Sequence, residues 1–211
     1  VESKGIYSIE NFLVARRLMY WQVYLHKTSV AYENMLVSAL LRAKELASKG
    51  VELFASPALK FFLYNDINRE RFKSDPKCLE NFILLDDNDI WTALKVWCNH
   101  NDIILATLSQ GMVNREIFKV EVSPTPCTEE RLNAISERIA KQLHINKEDT
   151  RYFISTPSIE KNMYNPADDS IDILYNDGST TNIAEASDML HLSVLSKKVK
   201  KYYICYLREK K

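Results

Sequence analysis

FLVARRLMYWQVYLHKTSVAYENML, residues 12–36, decides how this chain is read. Neither glycine nor proline occurs between Ser8 and Lys49, so residues 8–49 read as one long helix that Gly50 stops. With Arg16 as origin and 100° per residue, Lys27 lies at about 20°, Tyr20 at about 40° and Tyr24 at about 80°. These four share a stripe about 16 Å long, two cations with two phenols between them. Leu18, Trp21, Leu25 and Leu36 take the opposite side; Met19, Val23, Val30 and Leu41 fill a flank. A helix apolar nearly all round is expected to be buried. His26, at about 280°, points away from Tyr24.

A buried guanidinium needs an anion, because an unpaired charge in a dry interior is strongly destabilising. Two partners suit Arg16. One is an internal carboxylate (Glu10, Asp86, Asp87 or Asp89) in a structural ion pair. The other is a phosphate, which arginine meets through paired hydrogen bonds and Lys27 as a point charge. Tyrosine hydroxyls could then hold a sugar and the rings cover a base.

The remaining composition narrows the classes. Among 211 residues, 46% are apolar, with four glycines and six prolines, which suits a packed domain and not a disordered one. Twenty-eight basic residues balance 28 acidic ones, and a net charge of zero argues against a general nucleic-acid binder. Cys78, Cys98, Cys127 and Cys205 form no CxxC pair and sit near no histidine at zinc spacing, so they read as reduced thiols of a cytoplasmic protein. No apolar run reaches the roughly 18 residues of a membrane span, and no signal peptide is visible.

Further along, Ser56 and Pro57 open a helix over SPALKFFLYNDI. Another follows LLDDND with Asp87 as its cap; the acidic cluster itself suits a helix N-terminus. Ile90, Leu94 and Trp97 fall on one face of it. NHND breaks that helix, with His100 as a turn residue, and IILATLSQGM forms a short one. EIFKVEV alternates as a strand, and SPTPC turns the chain. TEERLNAISERIAKQLHI is amphipathic, capped by Thr128 and closed near His144. RYFIS, SIDILYNDG and KKYYICYL read as strands, and AEASDMLHLSVLSKKV as a helix. Trp91, Trp97 and Phe82 read as core, and Tyr202, Tyr203 and Tyr206 as half-buried sheet residues. The basic KKVKKYY and REKK segments read as solvated ends.

The fold class expected is a mainly α region, residues 1–115, followed by a smaller α+β lobe, residues 116–211, in the β-α-β-β-α-β order of a split ferredoxin-like unit.

ARRLMYWQVYLHKT, with the pattern R-x₃-Y-x₃-Y-x-H-K, resembles the helix that follows the catalytic core of HD-domain phosphohydrolases, especially the deoxynucleoside triphosphate triphosphohydrolases. LLDDNDIWTALKVW, LSQGMVNREIFKVEV and LSVLSKKVKKYYICY resemble later segments of that family in the same order. The resemblance implies that Arg16 contacts substrate phosphate and Tyr24 the deoxyribose. Tyr20 stands where some relatives carry histidine. His26 and Lys27, with Arg115 and Lys119, would fall at the activating-nucleotide site that regulated members hold between subunits. It also implies a homo-oligomer.

That family's chemistry needs a divalent metal held by a histidine, a His-Asp pair and a later aspartate. His26, His100, His144 and His191 are widely separated and none precedes an aspartate. The expectation is therefore a C-terminal portion of a longer phosphohydrolase. The missing N-terminal HD segment would carry the metal, and this portion, inactive alone, would supply the substrate side. The start at Val1 without a methionine agrees with that reading. The alternative is a non-catalytic helical module that binds a nucleotide or a protein partner.

Overall fold

The computed structural model describes residues 1–161, 170–187 and 199–209. The chain is mainly helical, with a small α+β portion toward its C-terminal side. It packs as two units that interleave along the sequence. The first comprises residues 1–30, 122–126 and 156–203; the second comprises 31–121, 127–155 and 204 onward. Residues 115 and 116, where the mainly α region is expected to give way to the α+β lobe, both lie within the second unit.

In the first unit, a 3-10 turn (Ser3–Gly5) leads into α1 (Ile6–Met19). α1 buries Leu13 and Glu10, and Leu13 packs with Ile173 and Ile183 in a small core flanked by Ile6, Ile9, Ile171 and Tyr175. The Ser187 hydroxyl donates to the buried Glu10 carboxylate. β4 (Asp172–Leu174) and β5 (Thr180–Asn182) form an antiparallel hairpin. Its turn uses Gly178 at φ +84°, where Asp177 accepts from the Ser179 N–H. A short α9 (Ile183–Ala186) follows. Residues 188–198 of the helix expected over 184–199, including His191, lie outside the described residues, as do the last two residues of the terminal REKK.

The long helix expected over 8–49 is broken. α1 ends at Met19 and runs into a π turn, Tyr20–Tyr24. There the Leu25 N–H reaches back five residues to the Tyr20 carbonyl at 2.7 Å. α2 (Lys27–Ser48) restarts with new caps: His26 Nδ1 accepts from the Thr28 N–H, and the Ser29 hydroxyl donates to the Val23 carbonyl. These side chains offer the backbone local alternatives to the helical ladder, which a reading by glycine and proline does not register. Burial also departs from expectation. Leu18, Met19, Val23, Tyr24 and Leu41 are exposed, whereas Val30 is buried.

The second unit is built on the rest of α2, whose Met35, Ala39 and Ala43 are fully buried. Around it lie α3 (Pro57–Tyr64), α4 (Arg69–Ser74), α5 (Pro76–Leu84), α6 (Asp87–Trp97), α7 (Ile103–Val113) and α8 (Glu129–Leu143). The caps carry most of these starts. Ser56 accepts from the Leu59 N–H, with Pro57 at the first helical position, and Thr128 accepts from the Arg131 N–H. α6 is capped by Asp86, one residue earlier than expected, because Asp86 and Asp89 close a reciprocal capping box. α4 and α5, absent from the sequence reading, start at Asn68 and Asp75 by the same chemistry. Leu94, Trp97, Leu105, Leu108, Ile139 and Phe153 fill the core. Trp97 Nε1 donates to the Phe54 carbonyl at 3.0 Å. Phe82 and Trp91 do not join this core: they are 56% and 42% exposed.

The strands depart from a split ferredoxin-like sheet. β6 (Val199–Tyr206) is central, flanked by β1 (Lys119–Ser123) on one side. On the other, β3 (Ser158–Lys161) and β2 (Ile154–Ser155) pair antiparallel with successive stretches of β6. Pro157, which has no N–H to donate, separates β2 from β3. Of the strand expected over 151–155, Arg151 and Tyr152 belong instead to a 3-10 turn (Lys147–Tyr152), and Ile154–Ser155 forms β2. Tyr203 and Tyr206 are buried, more deeply than expected, and Tyr202 is half-buried. All four cysteines are free thiols.

Candidate functional site

The π turn gathers the residues that the sequence singled out. Arg16, on the last turn of α1, lies 5.8 Å from the centroid of the Tyr20 ring. The Tyr20 and Tyr24 rings lie 5.4 Å apart, tilted by 58°. A guanidinium over a phenol and a second phenol beside it form a continuous cationic and aromatic surface.

The expected burial of Arg16 is corrected: its side chain is exposed, and it forms no ion pair among the described residues. Three of the four acidic partners weighed for it are engaged elsewhere. Glu10 is hydrogen-bonded to Ser187, and Asp86 and Asp89 cap α6.

The π turn is held from β6. The Tyr203 hydroxyl donates to the Leu25 carbonyl at 3.2 Å. Lys201 Nζ lies 4.0 Å from the Trp21 ring centroid. Lys201 and Tyr203, two residues apart, lie on the same face of the strand, so both approach the turn together. His26 and Lys27 are exposed, and His26 serves as a cap for α2.

In the second unit a cleft of about 680 Å³ is lined by Gln110, Asn114, Arg115, Gln142 and Arg208, with Met35 and Phe118 beneath. Arg115 follows the end of α7 at φ +61°, a left-handed conformation uncommon for a side chain of its size. Arg208 Nε donates to the Ile117 carbonyl at 2.9 Å, and Gln142 donates to the Arg208 carbonyl. Arg208 and Gln142 escaped the sequence reading because they come from separate segments with no shared spacing. Lys119 does not line this cleft. It pairs with Glu121 at 3.2 Å and lies over the Tyr206 ring. The Tyr206 hydroxyl, Lys119 and Arg131 together hold the Glu121 carboxyl below its usual range.

A second polar cluster was also missed. Arg42, with 11% of its side chain exposed, donates to both Asp102 oxygens at 3.1 and 2.6 Å. That hydrogen bonding raises the Arg42 guanidinium above its ordinary value. Burial pushes the Asp102 carboxyl up, but the Arg42 and Leu105 hydrogen bonds outweigh it and hold the group low. Beside it, Glu45 accepts from Lys49, Tyr152 and Arg151. Glu45 is pulled down to about 2, first by Lys49 and then by Tyr152. Each cation here has its carboxylate within the fold, so the cluster reads as structural.

Among the described residues, no group of three or more histidine, cysteine, aspartate or glutamate side chains converges as metal ligands would. The described residues therefore do not fit a divalent metal site. Nor, among these residues, is any helix long and apolar enough to cross a membrane.

Residues 1–55, which contain the π turn, match the family described as the HD associated region. The chain is 72% identical to a phosphohydrolase of Bacteroides thetaiotaomicron, with a TM-score of 0.93, over 99% of this chain and 52% of that one. It is 28% identical over 125 residues to the uncharacterized protein YwfO of Bacillus subtilis, which is 59% of this chain and 27% of that protein. A hypothetical protein of Aquifex aeolicus, 20% identical with a TM-score of 0.55 over 98% of this chain and 43% of its own, shares the fold. The chain thus spans about half the length of its Bacteroides relative and less of the others. These similarities associate the chain with HD-related phosphohydrolases.

Proposed function

We propose that this chain supplies the substrate side of a metal-dependent HD-type phosphohydrolase that acts on deoxynucleoside triphosphates. The observation that carries the proposal is the cluster of exposed Arg16 at the end of α1 with half-buried Tyr20 and exposed Tyr24 on the π turn, the guanidinium forming no ion pair among the described residues. Arg16 suits a phosphate through two-pronged hydrogen bonding, and Tyr24 offers a hydroxyl to the sugar and a ring to its apolar face. The similarity of residues 1–55 to the HD associated region supports this reading of the site. The metal and the groups that hold it belong, on this reading, to the rest of the full-length protein. The 1–211 segment alone is then inactive.

In the same reading Arg115, in the cleft of the second unit, takes an anionic regulatory nucleotide. His26 and Lys27 are exposed cations available to nucleotide phosphate, and Lys119 contributes only by leaving Glu121. The protein assembles with further copies of itself, for which the outward apolar side chains of α5 (Leu79, Phe82, Ile83 and Leu84) are suited.

The test is direct. The full-length protein is incubated with each deoxynucleoside triphosphate and magnesium or manganese, and products are separated by anion exchange. Release of intact triphosphate with the deoxynucleoside supports the proposal. Phosphate removed one group at a time, or turnover only of unrelated phosphate esters, sinks the substrate assignment.

A further inference from the structure

We infer that Tyr203 is a positioning residue for the nucleotide surface on the π turn, acting through the Leu25 carbonyl. This rests on the reading of Arg16, Tyr20 and Tyr24 as the substrate side.

A π turn carries one more residue per loop than the α-helix around it, and it persists where surrounding contacts favour it. Here the turn contains no glycine or proline to impose it. Its closing bond runs from the Leu25 N–H to the Tyr20 carbonyl, and Leu25 itself departs from helical geometry at φ −101°, ψ 14°. That departure aims the Leu25 carbonyl out of the ladder. The Tyr203 hydroxyl supplies a donor to that oxygen. Tyr203 is 4% exposed, and its own N–H donates to the Pro157 carbonyl at 2.9 Å, so the phenol stands on a fixed base. Two residues earlier, Lys201 is paired across the ladder with Ile159 and presents its ammonium to the Trp21 ring.

The strand therefore grips the turn at both ends, at Trp21 and at Leu25, and Tyr24 lies between. Without the Tyr203 hydroxyl, the turn can relax toward α geometry. Removing one residue of register rotates the downstream side chains by about 100°. Tyr24 would rotate about Tyr20 into the ordinary i, i+4 position, the present 58° tilt of the two rings would be lost, and the aromatic surface that continues from Arg16 would change shape.

The experiment uses the full-length protein and Tyr203→Phe, which keeps the ring and removes only the hydroxyl. Hydrogen exchange at amides 20–26 needs no nucleotide; the inference expects it to accelerate while exchange in α7 stays as in the parent. Equilibrium binding of a non-hydrolysable deoxynucleoside triphosphate analogue is expected to weaken about fivefold, the effect of one lost hydrogen bond. In a Tyr24→Ala background the same substitution is expected to change binding by less than about twofold, because both act through one element. If Tyr203→Phe does not fold, Lys201→Met tests the same grip through Trp21, with the same expectations. Unchanged exchange at 20–26 overturns the grip. Accelerated exchange with unchanged binding, or equal effects in both backgrounds, overturns the positioning role. If the parent protein binds no deoxynucleotide, the functional reading falls, and with it the substrate role of Tyr203, whatever the exchange shows.

Discussion

The Tyr20 and Tyr24 rings meet at 5.4 Å across a π turn, and the Arg16 guanidinium lies over the first of them. Sequence spacing alone set these residues on one stripe of a buried helix. The folded chain sets them on a locally widened helix end, where Arg16 and Tyr24 are exposed and Tyr20 is half-buried.

Arg16→Ala in the full-length protein is expected to raise KM for a deoxynucleoside triphosphate about tenfold or more, since a charge-assisted bond to phosphate is lost. Arg16→Lys should recover part of this, because it keeps the charge and loses the paired geometry. Both should melt within about 2 °C of the parent, as expected for an exposed side chain outside the core. Steady-state kinetics and thermal melting check this together.

Acid should destabilise the second unit through Glu45 and Asp102. Both carboxyls are held below their unfolded values, Glu45 at about 2 against a usual 4.5. Such groups contribute stability that is fully present above the unfolded value and is lost as pH falls through the folded one. Glu45 therefore contributes fully above about pH 4.5, and its contribution fades as the pH approaches 2. Urea unfolding at a series of pH values should show this fall, and Glu45→Gln should flatten it. An unchanged slope in Glu45→Gln would refute the assignment.

Breaking the Arg42–Asp102 pair from one side should cost about 3 kcal/mol, because Asp102→Ala strands a largely buried guanidinium and uncaps α7. Arg151→Ala, which removes an exposed partner of Glu45, should cost no more than about 1 kcal/mol. Chemical unfolding of the two variants separates these values.

The two tryptophans of α6 should behave oppositely. Trp97 is fully buried and donates to the Phe54 carbonyl, so Trp97→Ala should cost at least about 3 kcal/mol. Trp91 is exposed, and Trp91→Ala should stay within about 1 kcal/mol. Similar losses at both positions would mean that Trp91 is covered in the full-length protein.

Two helix starts were legible from the cap side chain beside the first turn. Ser56 with Pro57, and Thr128, needed nothing beyond their neighbours, because a cap bonds to a backbone group three residues away. The same logic, applied to Asn68 and Asp75, would have revealed α4 and α5. The core face of α6 through Leu94 and Trp97, the turn at Gly178 and the strand through Tyr203 were legible for the same reason: each depends on local periodicity or local backbone freedom.

The amino-acid sequence by itself therefore determined the mainly helical character, the caps, and the grouping of Arg16, Tyr20 and Tyr24 on one side of a helix. Tertiary structure alone decided that this helix breaks at Leu25, that Arg16 faces solvent, and that Arg42 meets Asp102. Those outcomes depend on groups distant in the chain, such as the Tyr203 hydroxyl at the Leu25 carbonyl. A hydrogen bond between residues far apart in sequence leaves no periodicity to read, and only folding brings its two ends together.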